Sequence, residues 1–356
     1  MKLRLPLLDQ YPRLGEAHPV AGLLLGPTPV EPLARADGVF IKHDDLTASD
    51  YGGNKIRKLD FLLADIRAHG RKTALAFGYA GSNFVAATAW HGRKLGLNTI
   101  AGLLPQAPAD YIADNLSVSL ATGARLFTRN TQFALIAEAA VRSAAAWARE
   151  GVAPVWIPPG GSNAIGALGF VNAGLELRQQ IDAGALPVPH AVLLPFSSMG
   201  TVAGLSLGLN LAGIAARIVA VQVVDEHHAG RAKLAALLHK LIALCRACGV
   251  RAPDVDSLMA SVEIRTEFYG GEYARADAAV KAAIERFHAA TGSRADTAYT
   301  GKALACLYSD LASGRLSAPT LYWHTLSAQR LPPGVPRLTR DQVPERLRSY
   351  LGGERS

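Results

Sequence analysis

Ala191-Val192-Leu193-Leu194-Pro195-Phe196-Ser197-Ser198-Met199-Gly200-Thr201-Val202-Ala203-Gly204 reads as an apolar run, a hydroxyl-rich turn and the start of a small-residue helix. No charged residue occurs from Ala191 to Ala216, yet Pro195, Ser197, Ser198, Gly200, Gly204 and Asn210 interrupt the stretch, which excludes a bilayer span. A buried strand over Ala191 to Leu194 and a helix over Val202 to Ala215 account for it. Working outward, a strand from Ile218 to Val224 and a helix from Arg231 to Ala247 follow, and a helix from about Asn163 to Gln180 precedes. Earlier still, Thr73 to Phe77, Thr99 to Leu104, Ala124 to Phe127 and Val155 to Ile157 read as strands, separated by amphipathic stretches of which Phe133 to Arg149 is the clearest. The alternation predicts an α/β chain of two wound parallel-sheet domains with helices on both faces. No repeat and no Pro/Ser-rich linker separates the two units, so a ligand cleft between the lobes is expected.

The 356 residues suit about two domains at roughly 100 to 200 residues each. With 49% apolar and only 19% charged residues, the composition is that of a buried α/β enzyme and excludes a disordered chain. The net charge of +8 is spread along the chain, so no nucleic-acid footprint is expected. Three cysteines, Cys245, Cys248 and Cys306, are too few and odd in number for a secreted disulfide framework, which predicts a cytoplasmic location. Met1 to Gly15 mixes charges and prolines and lacks the apolar run of a signal peptide.

Four glycine turns each meet a predicted helix start: Gly52-Gly53-Asn54-Lys55, Gly78 to Asn83, Pro158 to Asn163, and Ser197 to Gly204. Such a start exposes unpaired backbone N–H groups and the positive end of the helix dipole, a ready site for phosphate or carboxylate. The fourth turn adds hydroxyls at Ser197, Ser198 and Thr201, and Gly200 and Gly204 permit close backbone approach. It reads equally as a plain strand-to-helix connection. No G-x-G-x-x-G or Walker A pattern is present, which removes support for dinucleotide and nucleoside triphosphate ligands. Lys55 reads either as an amine nucleophile in an enclosed cleft or as a surface lysine at a basic helix start, since Arg57 and Lys58 follow.

Taken together, Lys42-His43-Asp44-Asp45, Gly52 to Leu59, Ser82-Asn83, Gly160 to Gly169, the Ser198 to Gly204 loop, Tyr299 to Ala303 and His324-Thr325 recur in a known order. The chain resembles the pyridoxal-phosphate enzymes of the tryptophan-synthase-β-like fold (fold type II), in the branch of D-cysteine desulfhydrase and 1-aminocyclopropane-1-carboxylate deaminase. The resemblance runs from about residue 20 to 325. It implies a large cofactor-binding domain over 1–57 and 166–356, a small α/β domain over 58–165, and a homodimer. It implies that Lys55 links pyridoxal phosphate through its amine and then transfers protons. Asn83 would bind the cofactor's phenolic oxygen, and Ser82 the substrate carboxylate. Ser198, Met199, Gly200 and Thr201 would cradle the phosphate. Tyr299 and Tyr273 would lie near the reacting centre, and Thr325 would face the pyridine nitrogen. A neutral hydroxyl there favours loss of a β leaving group over charge storage on the ring.

Thr300 stands where the cyclopropane-opening deaminases carry Glu, which favours the desulfhydrase-like side. Gly81 and Phe84 flank Ser82-Asn83 where both relatives carry polar residues, and Leu326-Ser327 replaces a Gly-Gly pair. The expected activity is therefore α,β-elimination on a small or β-substituted amino acid, giving keto acid and ammonia, with no metal, nucleic-acid or membrane partner. The alternatives are 1-aminocyclopropane-1-carboxylate deamination, β-replacement, and a non-catalytic amino-acid- or anion-binding homologue. Cys245 and Cys248 read as helix-face residues and Asp225-Glu226-His227-His228 as a solvated loop at the sheet edge. Phe268-Tyr269-Gly270-Gly271 reads as a turn or a substrate-side loop.

Overall fold

The run at 191 forms a central strand of a six-stranded sheet in the computed structural model, which describes residues 4–350 of the chain. In chain order the strands are β1 (Val30–Pro32), β2 (Val39–His43), β3 (Thr73–Tyr79), β4 (Asn98–Leu104), β5 (Arg125–Thr128), β6 (Val155–Ile157), β7 (Ala191–Phe196), β8 (Arg217–Gln222), β9 (Val262–Arg265) and β10 (Thr320–His324). The larger sheet has the order β1-β2-β10-β7-β8-β9 and the smaller β5-β4-β3-β6. All neighbours are parallel except the β1–β2 pair. The larger sheet thus takes strands from both sides of the segment that builds the smaller one. The helices Lys55–Ala68 and Ala164–Asp182 run across the expected domain limits at 57/58 and 165/166 and are shared by the two units.

Because the sheets are parallel and covered on both faces, their strands carry near-continuous apolar runs, as β7 does. Three helices pack so closely beside them that backbones touch. A Cβ at Gly169 would lie 2.0 Å from the carbonyl oxygen of Arg57, and one at Gly204 would lie 2.3 Å from that of Ala167. Gly204 therefore serves helix packing, not the ligand approach expected of it.

A buried ion cluster fastens the same helices to β2. Arg57 donates to Asp44 and to Glu176 (Nη1–Oε2 2.8 Å), and Lys42 Nζ lies 2.5 Å from Glu176 Oε1. Arg57 and Lys58 are both fully buried, so the basic helix start after Lys55 is no surface feature.

The helix Gln132–Glu150 is present as expected, capped by the Thr131 hydroxyl, which accepts the Ala134 N–H, and ended by Gly151 at φ +74°. Its orientation differs from that of an ordinary amphipathic helix. Leu135, Ala139 and Ala146 face the smaller sheet, and the richer apolar stripe with Phe133, Ile136 and Trp147 faces outward.

Candidate active site

The loops that leave β3, β6, β7 and β10 all emerge at the carboxyl ends of their strands, where open α/β sheets bind ligands. They enclose a cavity of about 600 Å³ with walls from both sheets. Lys55, Ser82, Asn83, Ser198, Met199, Thr201, Tyr299 and Thr325 all line it.

Lys55 is the first residue of its helix, held there by an interlocked turn. The Asn54 N–H donates to the Thr325 carbonyl (3.1 Å) and the Gly52 N–H to the Ser327 hydroxyl (3.1 Å). Gly53 sits between them at φ +97°, where a side chain would be strained. The replacement of a Gly-Gly pair by Leu326-Ser327 thus ties Thr325 to the lysine turn. Lys55 Nζ donates to Asn54 Oδ1 (2.9 Å), and burial lowers its pKa to about 8, opposed by the nearby Asp296 carboxylate. Asp296 also lines the cavity, and sequence reading missed it. Burial raises its carboxyl pKa, opposed by the amides of Tyr299 and Thr300 that donate to it.

The opposite wall is a helix start and two serine loops, with Ser162, Ser198, Met199 and Thr201 on the cavity surface and Gly200 and Lys58 behind them. The helix Gly200–Leu211 starts with Met199 at φ +68°, a strained value for a residue with a side chain; Met199 itself supplies no cap, and the Ser162 hydroxyl accepts the Gly200 N–H (3.2 Å). A Cβ at Gly200 would meet Ser162 Oγ at 2.7 Å and Lys58 Nζ at 2.9 Å. Lys58 Nζ donates to the Gly160 carbonyl (3.1 Å) and Ser162 Oγ (3.1 Å), and the Ser162 hydroxyl bonds that of Ser198 (2.8 Å). Burial, with Lys55 close by, pushes the Lys58 amine well below its ordinary range. Lys58 was legible only as a neighbour of Lys55. The i, i+3 spacing that turns both amines to one helix face was the signal available.

On the smaller sheet's side, Ser82 caps the helix Asn83–Lys94, accepting the Val85 N–H (3.3 Å). Asn83 Oδ1 accepts from Asn115 Nδ2 (2.7 Å), whose Oδ1 accepts from the Tyr51 hydroxyl (2.8 Å), which leaves the Asn83 amide N–H₂ to donate into the cavity. Gly81 is required because a Cβ there would lie 2.6 Å from the Tyr111 ring. Phe84 lines the cavity beside Gly161.

Tyr273, expected as a second active-site tyrosine, stands behind the cavity-lining Tyr299. Its hydroxyl meets that of Tyr299 at 2.5 Å and its ring stacks on Tyr79 at 4.3 Å. The loop that carries it is pinned by buried Lys302, which donates to the carbonyls of Tyr269 (2.5 Å) and Glu272 (3.2 Å). Phe268 to Gly271 is accordingly a turn outside the cavity. Thr300 is also outside it, its hydroxyl accepting the Asp296 N–H (2.7 Å). His227 and His228 are exposed, as a solvated loop predicts, but they also reach the cavity mouth. Among the described residues no group of three or more His, Cys, Asp or Glu could hold a metal ion, and no helix is long and apolar enough to cross a membrane.

A helix start lined by the hydroxyls of Ser162, Ser198 and Thr201 beside a buried lysine, a primary amine of lowered pKa and the amide donor of Asn83 suit a phosphorylated aldehyde. That combination defines a pyridoxal-phosphate site on a two-sheet α/β fold. The family described as pyridoxal-phosphate dependent enzyme matches residues 22–325, and the chain belongs to it. Its cofactor is pyridoxal phosphate. D-cysteine desulfhydrase of Klebsiella pneumoniae (strain 342) is 33% identical over 339 residues, 91% of this chain and 96% of that one. Nocardicin C-9' epimerase of Nocardia uniformis subsp. tsuyamanensis is 32% identical over 328 residues, 92% of this chain and 93% of that one. Among solved structures, an ACC deaminase homologue superposes with a TM-score of 0.76 at 28% identity, covering 91% of this chain and 95% of its own. The fold class and cofactor expected from the sequence agree with these relatives, and the desulfhydrases among them agree with an eliminating lyase.

Proposed function

We propose that the chain catalyses α,β-elimination on an amino acid with a β leaving group such as a thiolate, releasing a keto acid and ammonia. The observation that carries this reading is Lys55, an amine lowered to about 8 between an anion cradle on one wall and the Ser82-Asn83 helix start on the other. When bound, pyridoxal phosphate supplies the electron sink that stabilises negative charge at the substrate Cα. Gly200, Thr201, Ser198, Met199 and Lys58 would hold its phosphate, Asn83 its phenolic oxygen, Thr325 its ring nitrogen and Lys55 its aldehyde. The Ser82 N-terminal turn orients the substrate carboxylate by unpaired N–H groups. Lys55, once free and neutral, takes the Cα proton. Tyr299, whose hydroxyl pKa burial raises, stays protonated and donates to the leaving group. Tyr273 orients that hydroxyl without touching the substrate. The unit 58–165 acts as the small domain of a cytoplasmic enzyme, with 1–57 and 166–356 forming the large one.

A second reading, epimerisation at Cα, is favoured by the epimerase relative and uses the same proton transfer. The deciding experiment incubates the cofactor-loaded enzyme in D₂O with D- and L-cysteine, larger S-substituted cysteines, and 1-aminocyclopropane-1-carboxylate. Keto acid and thiol release from the β-substituted substrates supports elimination. Deuterium uptake at Cα with inversion and no keto acid replaces it with epimerisation. Turnover of the cyclopropane alone would reject the reading.

A further inference from the structure

The cavity does not end at the residues that suit the cofactor. It runs on into a recess lined by Phe77, Leu104, Leu135, Ile136, Trp156 and Pro159. Gly78 faces the helix Asn83–Lys94, where a Cβ would meet Ser82, so its neighbour Phe77 points to the other face of the smaller sheet. There Phe77 packs with Leu135 and Leu104 under the helix Gln132–Glu150. The Trp156 ring tilts against Phe77, with centroids 5.5 Å apart, and its indole N–H donates to Ser143 Oγ (3.2 Å). Ser143 stands two turns beyond Ile136 on the same side of that helix, so Trp156 and Ile136 border one groove. Neither Gln132–Glu150 nor Trp156–Pro159 gives the cavity a charged side chain. Ile136 nonetheless stays 42% exposed and Trp156 38%. Apolar side chains left open to water inside a ligand cavity are surface for a ligand to cover.

The recess is joined to the reacting centre through short stretches of chain. Phe84, two residues after Ser82, lines the cavity and lies against Gly161. Trp156 is four residues before Gly160, whose carbonyl accepts from Lys58 (3.1 Å), a span of no more than about 14 Å. Free cysteine ends at Sγ and has no apolar group to lay on this wall. Resting on the eliminating-lyase reading above, we propose that the recess receives the body of the leaving group, so that the preferred substrates are cysteines whose sulfur carries a bulky apolar ring, of the S-benzyl type, and not cysteine itself. The ring lies against Phe77 and Trp156 in the tilted geometry that aromatic pairs favour, with Leu104 and Ile136 beside it. The reaction balances with water as the only co-reactant. Lys55 takes the Cα proton, the Cβ–S bond breaks with its electron pair on sulfur, and Tyr299 protonates that sulfur to release the thiol. One water then converts the remaining three carbons and nitrogen to a keto acid and ammonia.

The experiment uses the cofactor-loaded full chain with cysteine, S-methylcysteine and S-benzylcysteine, each in both configurations. Keto acid and thiol release give kcat/KM. Binding is read separately, from the change in cofactor absorbance, with the carba analogues of the two S-substituted compounds, in which CH₂ replaces sulfur and nothing can be eliminated. In one configuration S-benzylcysteine should exceed S-methylcysteine and cysteine in kcat/KM by at least about tenfold, and its carba analogue should bind tighter than the methyl one by a similar factor. Ile136→Gln, at an exposed helical position that accepts glutamine, should lower the benzyl-to-methyl ratio severalfold. Val141→Gln, exposed on the same helix outside the cavity, should leave that ratio as it is. Equal binding of the two carba analogues, or a ratio unmoved by Ile136→Gln, would overturn the recess. Keto acid from cysteine with no gain for S-benzylcysteine would overturn this inference alone. Tighter binding of the benzyl analogue with no keto acid from any sulfur compound would overturn the eliminating reading, and the leaving group with it, and keep the recess as a side-chain site.

Discussion

Replacing Lys58 by methionine keeps the length and apolar stem of the side chain and removes only its charge. In the cradle, Lys58 Nζ lies 3.1 Å from both the Gly160 carbonyl and Ser162 Oγ, and burial beside Lys55 pushes its pKa well below 10.5. Without an anion, the folded chain disfavours a proton that the unfolded chain keeps. Between the lowered folded pKa and 10.5 the unfolded state thus binds more protons, and stability rises with pH. Methionine carries no such penalty. The cofactor-free variant should therefore be at least as stable as wild type at pH 7, less about 1 kcal/mol for the hydrogen bonds lost. With a phosphate bound the sign reverses. A charge-assisted hydrogen bond contributes about 1.5 to 3 kcal/mol, which is roughly a 10- to 150-fold loss of affinity for the cofactor. Titration with pyridoxamine phosphate, which has no aldehyde for Lys55, isolates this contribution, with thermal melts of the cofactor-free protein run alongside. A Kd within twofold of wild type, or a collapse of cofactor-free stability, would refute the role assigned to Lys58.

Cofactor capture by Lys55 needs its neutral amine, so the rate at which cofactor-free protein gains the bound-cofactor absorbance should fall tenfold per pH unit below about 8 and level off above it; Lys55→Ala should abolish capture. Glu176, held near 2 against an ordinary 4.5, opposes burial through its contacts with Arg57 and Lys42. Its stability contribution is present above pH 4.5 and is lost as pH falls toward 2, and Glu176→Gln should cost about 3 to 5 kcal/mol in denaturant melts and flatten that acid limb. Tyr299→Phe should lower kcat by about 10²-fold or more if it is the proton donor, whereas Tyr273→Phe should lower it less and leave KM within a few fold; equal kcat losses would reject the layering of the two rings.

The strand-helix alternation from Thr73 to Ala247 was readable because its strands are short apolar runs and its helices carry apolar residues at helical spacing, most of them punctuated by glycine or proline. Its extent is recovered to within a few residues in β3 through β8. Strands β1, β2, β9 and β10 escaped because each is three to five residues long, and β1, β2 and β9 carry charged residues that hide the pattern. Lys55, Asn83 and the Ser198–Thr201 loop were legible because glycine turns at helix starts have a direct chemical meaning. Asp296 and Lys58 were not. Each sits in a sequence that reads as a solvated stretch, and only the packing of three helices and the 296–300 turn encloses them. Tyr51 and Asn115, which orient Asn83 from 32 and 32 residues away on either side, could not be joined by any local pattern. The outward apolar face at 133–148 marks the limit of periodicity as a guide: it located the helix and its two faces, but not which one the fold would bury.

The two lysines at the head of one helix must end in opposite protonation states. Lys55 acts as a base and nucleophile only when neutral, and Lys58 holds a dianion best when charged. Both amines are lowered by burial, and Lys55 lowers Lys58 further. A dianion seated at Gly200 would lie against Lys58, whose nitrogen comes within 2.9 Å of a Cβ at that position, and would favour its protonated form. Lys58 then becomes a fixed positive neighbour of Lys55, which lowers the Lys55 amine in turn. Asp296 opposes that shift and is itself weakened as a charge because burial raises its pKa. Phosphate bound beside Lys58 would thereby favour the neutral, nucleophilic form of Lys55, and the i, i+3 spacing that sets both amines on one face of the same helix is the sequence feature behind that coupling.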